Sequence, residues 1–189
     1  MKSIILVILL WVTQSVFGGI PGLEGTWMAG CVKDGDPGME YRKSTLVFHE
    51  NILQLHILNA KNNGCKEAPY TFLLNFNYEV KPNSHSHLYR NIDLKLEGYY
   101  LVVHQTKYAA YYNKVKYCKR DDWKVNVPQP ISNEACGVKD LYPLGTKLYQ
   151  IYRAWENQLR LGEMNGITNA LSPESRPTHL DILYQFLKQ

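Results

Sequence analysis

The feature that most constrains this chain is the run YTFLLNFNYEV at positions 70–80, in which apolar and polar side chains alternate. Every second position from Tyr70 to Val80 is apolar or aromatic, whereas the positions between them are mainly polar, with Leu73 as the exception. A repeat of two residues places alternate side chains on opposite faces of a β-strand, and it does not fit the 3.6-residue turn of a helix. The run therefore predicts a strand with one buried face.

Similar strand signals recur at short intervals along the chain. We expect strands or hairpins at 23–33, 44–58, 70–80, 91–105, 123–127 and 146–163, with hairpin turns at Glu50-Asn51, Glu97-Gly98 and Glu156-Asn157. Such a series of closely spaced strands, separated by turn residues, is typical of an antiparallel sandwich or barrel.

Two segments carry helical patterns instead. Between 106 and 118, aromatic and apolar side chains recur at the i, i+3, i+4, i+7 spacing of a helix, and Thr106 is placed to cap its start. Near the C-terminus, Thr178 and Asp181 form a capping-box pattern, which predicts a short helix within 176–188.

The N-terminal segment is typical of a secretory signal. Lys2 precedes a mostly apolar run at 4–12, and Gly18 offers a small residue at a cleavage site. We expect a signal peptide at 1–18 and one mature domain at 19–189, which is secreted or periplasmic and has no transmembrane segment.

Four cysteines, Cys31, Cys65, Cys118 and Cys136, fit this interpretation. An even number in an exported chain predicts two disulfides, for which three connectivities are possible. We favour Cys31–Cys65 with Cys118–Cys136, because each of these pairs closes a local loop. The cysteines contain no C-x-x-C pair, so they do not indicate a metal site.

The stretch Gly25-Thr26-Trp27 resembles the G-x-W signature of the lipocalins, within the calycin class. The resemblance implies an all-β, antiparallel, up-and-down, eight-stranded calycin-like barrel with one inserted short helix and a short C-terminal helix. It also implies that Trp27 plugs one end, that Gly25 permits close approach there, and that Arg176 lies over the indole. Arg153 and Arg160 are alternatives for that cation.

The C-terminal part of the chain also resembles small exported lipocalin-like proteins of bacteria. Cys118, Trp123, Cys136 and the pair Arg176-Pro177 carry this likeness. No defined activity is attached to that group, so it adds to the expected fold and compartment alone.

A barrel of this type can hold one small ligand among its inward-facing side chains. The inward set predicted from alternation is Tyr70, Phe72, Leu74, Phe76, Tyr78, Leu53, Leu55, Tyr99 and Leu101. We expect it to bind a small apolar or amphipathic molecule without catalysis. The alternative is a filled barrel that acts as a protein-interaction module, with Tyr100, Tyr108 or Tyr112 at its interface.

Several other classes of function lack support in the sequence. The net charge of +4 is spread over interleaved acids and bases, which argues against a nucleic-acid-binding stripe. The chain has no nucleophile elbow, no H-E-x-x-H helix and no phosphate loop, so we expect no enzyme, no cofactor and no metal site. Nothing in the sequence indicates an oligomeric state.

Overall fold

The structure, a computed structural model, describes residues 22–33, 39–82, 88–137, 141–163, 170–182 and 184–189. The predicted signal peptide at 1–18 lies outside this part of the chain. The strands are β1 (Gly25–Ala29), β2 (Val32–Lys33), β3 (Tyr41–His49), β4 (Ile52–Ala60), β5 (Tyr70–Lys81), β6 (Arg90–Val103), β7 (Gln129–Pro130), β8 (Lys147–Trp155), β9 (Gln158–Leu161) and β10 (Phe186–Lys188). The helices are α1 (Thr106–Val115) and α2 (Asn133–Cys136), with 3-10 turns at Tyr117–Lys119 and Pro173–Ser175.

Eight of these strands form a closed antiparallel barrel. Around it the order is β1, β3, β4, β5, β6, β8, β9 and β10, and β10 pairs again with β1. Each barrel strand thus pairs with the next along the chain, which is the predicted up-and-down arrangement. The short strands β2 and β7 add to the edges of β3 and β6. The predicted barrel is confirmed.

The register places the predicted apolar faces inside the barrel. Leu46 on β3 lies opposite Leu55 on β4, which in turn lies opposite Leu74 on β5. Trp27 on β1 lies opposite Leu46, so the same row continues across the first barrel strand. The predicted strand at 70–80 and the turns at 50–51 and 156–157 are confirmed.

The predicted turn at Glu97-Gly98 is wrong, because β6 runs unbroken through both residues. Its partner β5 is long enough to pair with it from Lys81 to Tyr70. Strand β6 has one more residue than β5 in this pairing, and that residue forms a bulge beside Asn75. Gly98 suits this bulge, since a Cβ there would lie 2.8 Å from the Tyr100 ring.

The region after α1 also differs from the expectation. The predicted strand at 123–127 is wrong: Val125 makes one isolated bridge to Val103, and the short strand β7 follows at 129–130. The Trp123 side chain is buried and its indole donates to the Tyr117 carbonyl at 3.1 Å, so packing takes the place of strand pairing. The predicted helix at 106–118 is confirmed as α1, but Gln105 rather than Thr106 is its N-cap residue.

The predicted C-terminal helix at 176–188 is wrong. Its last residues form β10, which pairs with both β1 and β9 and closes the barrel. Without β10 the edges of these two strands would keep unpaired backbone groups, so closure outweighs a local capping pattern. The capping box in this part of the chain instead lies at Ser172 and Ser175, before a 3-10 turn.

Both disulfides have the predicted partners. Cys31 is bonded to Cys65 and Cys118 to Cys136, and the described chain contains no free cysteine. The first bridge joins the chain after β1 to the loop between β4 and β5. The second joins the 3-10 turn after α1 to α2. Paired cysteines are typical of oxidising extracellular or periplasmic compartments.

Candidate functional site

One end of the barrel, called here the Trp27 end, contains the tryptophan of β1. Trp27 is fully buried, and its Nε1–H donates to the Leu23 carbonyl at 2.6 Å. Lys188 on β10 places its ammonium 5.3 Å from the centre of the indole. Gly25 has a φ of +111°, a backbone conformation that favours glycine. Trp27 is thus buried with a cation over its ring, whereas a Cβ at Gly25 would meet the Lys188 side chain at 3.4 Å and no backbone atom within 4 Å, so the close backbone approach predicted for Gly25 is not seen.

The prediction that Arg176 covers this indole is wrong. Its guanidinium lies on the outer surface of β6 and β8, where it donates to the Gln150 carbonyl at 2.6 Å and to the Asp93 carboxylate at 2.5 Å. It also lies 5.4 Å from the Tyr149 ring centre. A carboxylate and carbonyls satisfy its donors there, whereas Lys188 is the cross-strand neighbour of Trp27.

The two alternative arginines do not cover the tryptophan either. Arg153 lies 4.9 Å from the ring centre of Trp155, at the turn between β8 and β9. Arg160 donates to the Gln185 side chain at 3.4 Å. The cation over Trp27 is therefore Lys188. It lies on β10, in the segment that the sequence pattern predicted to be a helix.

The side chains predicted to contact a ligand divide into two groups. The buried group belongs to the packed core and comprises Leu53, Phe76, Tyr78, Tyr99 and Leu101. Within it, the Tyr78 ring meets the Phe48 ring edge-on at 5.3 Å, and its hydroxyl donates to the Glu50 carbonyl at 2.7 Å. Burial raises the pKa of Tyr78 to about 12. The half-buried group comprises Leu55, Tyr70, Phe72 and Leu74.

A cavity of about 350 Å³ lies between strands β3 and β4 on one side and strands β8, β9 and β10 on the other. Of the predicted ligand contacts, Leu55 lines it. Its apolar wall comprises Leu46, Leu55, Ile57, Leu161 and Phe186, and its polar lining comprises Arg42, Ser44, Gln150, Gly162, Asp181 and Tyr184. The cavity lining thus combines apolar and polar side chains, and β3 and β8 contribute some of the polar ones.

The polar groups of the cavity are held in place by the barrel itself. The Gln150 side-chain oxygen accepts from the backbone N–H groups of Ile151 and Gly162, at 3.2 and 3.1 Å. Arg42 Nε donates to the Asn59 side chain at 3.4 Å, and Asn59 is itself buried. These contacts keep polar atoms at defined positions beside the apolar wall.

The opposite end of the barrel, called here the α1 end, is where β6 and β4 finish and β3 and β5 begin. Helix α1 follows β6 and packs its Ala109 side against the protein. An aromatic cluster forms beneath it: Tyr112 stacks on Tyr117 at 4.7 Å and meets Trp123 at 5.4 Å. Burial raises the pKa of Tyr112 to about 12.

A second depression lies on the barrel wall, beyond the point where β8 leaves β6. It measures about 330 Å³, and its lining comprises Tyr99, Ile131, Ser132, Asn133, Glu134, Leu141, Tyr142, Pro143 and Leu144. Tyr99 is therefore an inward-facing residue that also reaches a surface groove. Sequence alternation could not show this, because it does not indicate where a neighbouring strand departs.

Two of the described histidines lie in the barrel wall or directly after it. His104 links Thr71 and Asn126 through its two ring nitrogens, at 2.7 and 2.9 Å, and so ties the loop before β7 to β5. His56 lies half-buried, and burial lowers its pKa from 6.5. Among the described residues no group of three histidine, cysteine or acidic side chains could hold a metal ion.

Sequence reasoning missed part of the cavity wall for a clear reason. Leu46 was available from the alternation in β3, whereas Phe186 and Tyr184 lie in the segment predicted as a helix. Period-two alternation identifies an inward face, but it does not say which inward side chains meet and which leave a space. Which inward side chains meet depends on how side chains from different strands pack inside the barrel.

None of the described helices is long and apolar enough to cross a lipid bilayer. No protein-family model matches the chain, and no curated protein matches its sequence.

Proposed function

We propose that this protein binds one small apolar or amphipathic molecule in the cavity between β3, β4 and β8–β10, without catalysis. The observation that carries the proposal is the volume of this cavity, about 350 Å³, beside a core of buried apolar side chains. Small-molecule pockets begin at about 300 Å³ and combine an apolar lining with a few placed polar groups.

The lining describes the kind of ligand. Leucine, isoleucine and phenylalanine side chains offer contact to a hydrocarbon or ring system, and burial of such a surface drives binding. The side chains of Arg42, Ser44 and Asp181 give the lining polar groups near which a polar end of the ligand would lie. A lining that combines apolar and polar side chains favours an amphipathic molecule over a fully polar one.

The proposed setting is that of an exported lipocalin-like protein. The apolar segment at 4–12, the two disulfides and the closed up-and-down barrel with Trp27 at its floor support it. The proposed location is therefore secreted or periplasmic, after removal of residues 1–18.

The alternative function, a protein-interaction module, has weaker support. It needs Tyr100, Tyr108 or Tyr112 on the surface, and all three are only partly exposed. Tyr112 belongs to the aromatic cluster under α1, so its ring contacts the protein itself.

Titration with an apolar fluorescent probe tests the proposal. The wild-type protein should take up the probe at micromolar concentrations, with a negative heat-capacity change. Ile57→Trp adds bulk inside the cavity and should weaken binding at least tenfold. Ile52→Trp is the matched control, since Ile52 lies on the same strand and is 40 % exposed.

Two results would contradict the proposal. Wild-type protein that takes up no probe would mean that the cavity is not accessible to an apolar molecule. Equal binding by wild type and Ile57→Trp would place the probe elsewhere, and the groove beside Tyr99 would be the next position to vary.

A further inference from the structure

The outer side of helix α1 carries a stripe of lysine and aromatic side chains. Lys107, Ala110, Tyr111 and Lys114 follow the i, i+3, i+4, i+7 spacing, so they share one side of the helix, and all four are exposed. The side turned to the protein carries Ala109, which is 5 % exposed. We call Lys107, Ala110, Tyr111 and Lys114 the outer stripe.

Apolar groups protrude from this surface. Tyr111 is 58 % exposed and Val115, its i+4 neighbour, is 47 % exposed. The Tyr111 ring meets Tyr112 at 6.0 Å, which links it to the packed cluster below. A tyrosine has an apolar body and a polar tip, so it suits a boundary between water and an apolar phase.

Most of the charge on and beside the stripe is positive, although Glu67 lines the same depression as Lys107 and Asp121 and Asp122 follow the segment 106–120. No aspartate or glutamate occurs between Thr106 and Arg120, and the exposed Lys116 and Lys119 follow the helix. In the part of the chain that the structure describes, Lys107, Lys114, Lys116 and Lys119 form no ion pair. The Lys107 ammonium lies over the Tyr108 ring, 5.2 Å from its centre, whereas Lys114, Lys116 and Lys119 are exposed to the solvent.

We propose that the outer stripe of α1, with Val115, Lys116 and Lys119, docks this protein on the surface of an anionic lipid bilayer. Lysines near such a surface are attracted by its negative potential, and apolar tips enter the headgroup region between them. Tyr111 and Lys114 are exposed on the outer side of the helix, which fits contact with a flat, deformable lipid surface.

The docking would orient the barrel. Helix α1 starts directly after β6 ends, so it lies at the end of the barrel where Arg42 and Asn59 also lie. The Trp27 end then faces away from the bilayer, and the turns there carry Glu50 and Glu156, whose charge a negative surface repels. The proposal does not depend on ligand binding in the cavity.

Sedimentation of the mature protein with lipid vesicles tests this inference. Vesicles of phosphatidylcholine with about one third phosphatidylglycerol should bind the protein, and vesicles of phosphatidylcholine alone should bind it far more weakly. Each lysine near the surface contributes about fivefold, so Lys107→Gln with Lys114→Gln should weaken binding about 25-fold. Binding should also fall as salt is added.

Matched controls separate the stripe from general charge. Lys95→Gln with Lys147→Gln removes two lysines that face each other across β6 and β8 on the barrel wall, and binding should change little. Tyr111→Ser should weaken binding severalfold, whereas Tyr142→Ser, at a tyrosine that is 37 % exposed, should not. Circular dichroism checks that each variant is folded.

Three outcomes would overturn the proposal. One is no binding to anionic vesicles at millimolar lipid, and another is equal loss in the wall-lysine control. The third is binding to a soluble polyanion such as dextran sulfate with none to vesicles, which would assign the stripe to a different partner. Probe uptake by the cavity is measured without vesicles, so the two proposals fail independently.

Discussion

Replacement of Trp27 by alanine is the sharpest test of how the barrel is closed. The side chain is fully buried, its indole donates to Leu23 at 2.6 Å, and Lys188 lies 5.3 Å from its ring centre. Deletion of a buried aromatic side chain costs about 3–5 kcal/mol. In a chain of this size about 2–4 °C in Tm accompanies each kcal/mol, so Tm should fall by about 6–20 °C.

Urea unfolding followed by far-UV circular dichroism measures this loss without relying on tryptophan fluorescence. Trp155→Ala is the matched control, because Trp155 lies half-buried at the turn between β8 and β9 and contacts Arg153. The control should lose less than about 2 kcal/mol. If Trp27→Ala unfolds within about 1 kcal/mol of the wild type, the indole does not close the barrel and the argument fails.

Other predictions concern the ion pair, a disulfide and pH. Arg176→Gln should destabilise the protein by about 2–3 kcal/mol, because it leaves a mostly buried carboxylate without its charged partner; an unchanged urea midpoint would contradict this. Loss of the Cys118–Cys136 bridge should cost about 3 kcal/mol for its 18-residue separation, whereas thiol titration of the unreduced, denatured wild type should find no free thiol. Burial lowers the pKa of His56 from 6.5, so the unfolded chain binds its proton first. Stability should therefore fall as the pH drops below about 6.5, and His56→Gln should reduce that slope; an identical slope in both proteins would exclude His56 as its source.

Local sequence patterns determined most of the barrel strands and both disulfides. Alternation such as that of 70–80 reports which side chains face inward, because the β backbone itself has a period of two. Cysteines that close short loops favour local pairing, and both predicted pairs are present. These features depend on neighbours along the chain, so a sequence can reveal them.

Tertiary structure decided the features that depend on distant partners. The segment 186–188 became a strand because β1 and β9 both needed a partner to close the barrel, although nearby residues favour a helix cap. Glu97 and Gly98 became part of a bulged strand rather than a turn because β5 was long enough to pair with residues 91–103 of β6. In both cases backbone hydrogen bonds across the sheet outweighed a local preference.

The candidate cavity shows the same division. Alternation identified inward side chains such as Phe76 and Leu55, but Phe76 is packed in the core whereas Leu55 borders the open space. Likewise Lys188, not Arg176, lies over Trp27, because strand pairing places it there and Asp93 holds the arginine on the outer wall. The sequence by itself determined which side chains face inward; the closed barrel decided where they meet and where they leave room, since packing depends on side chains brought together from distant strands.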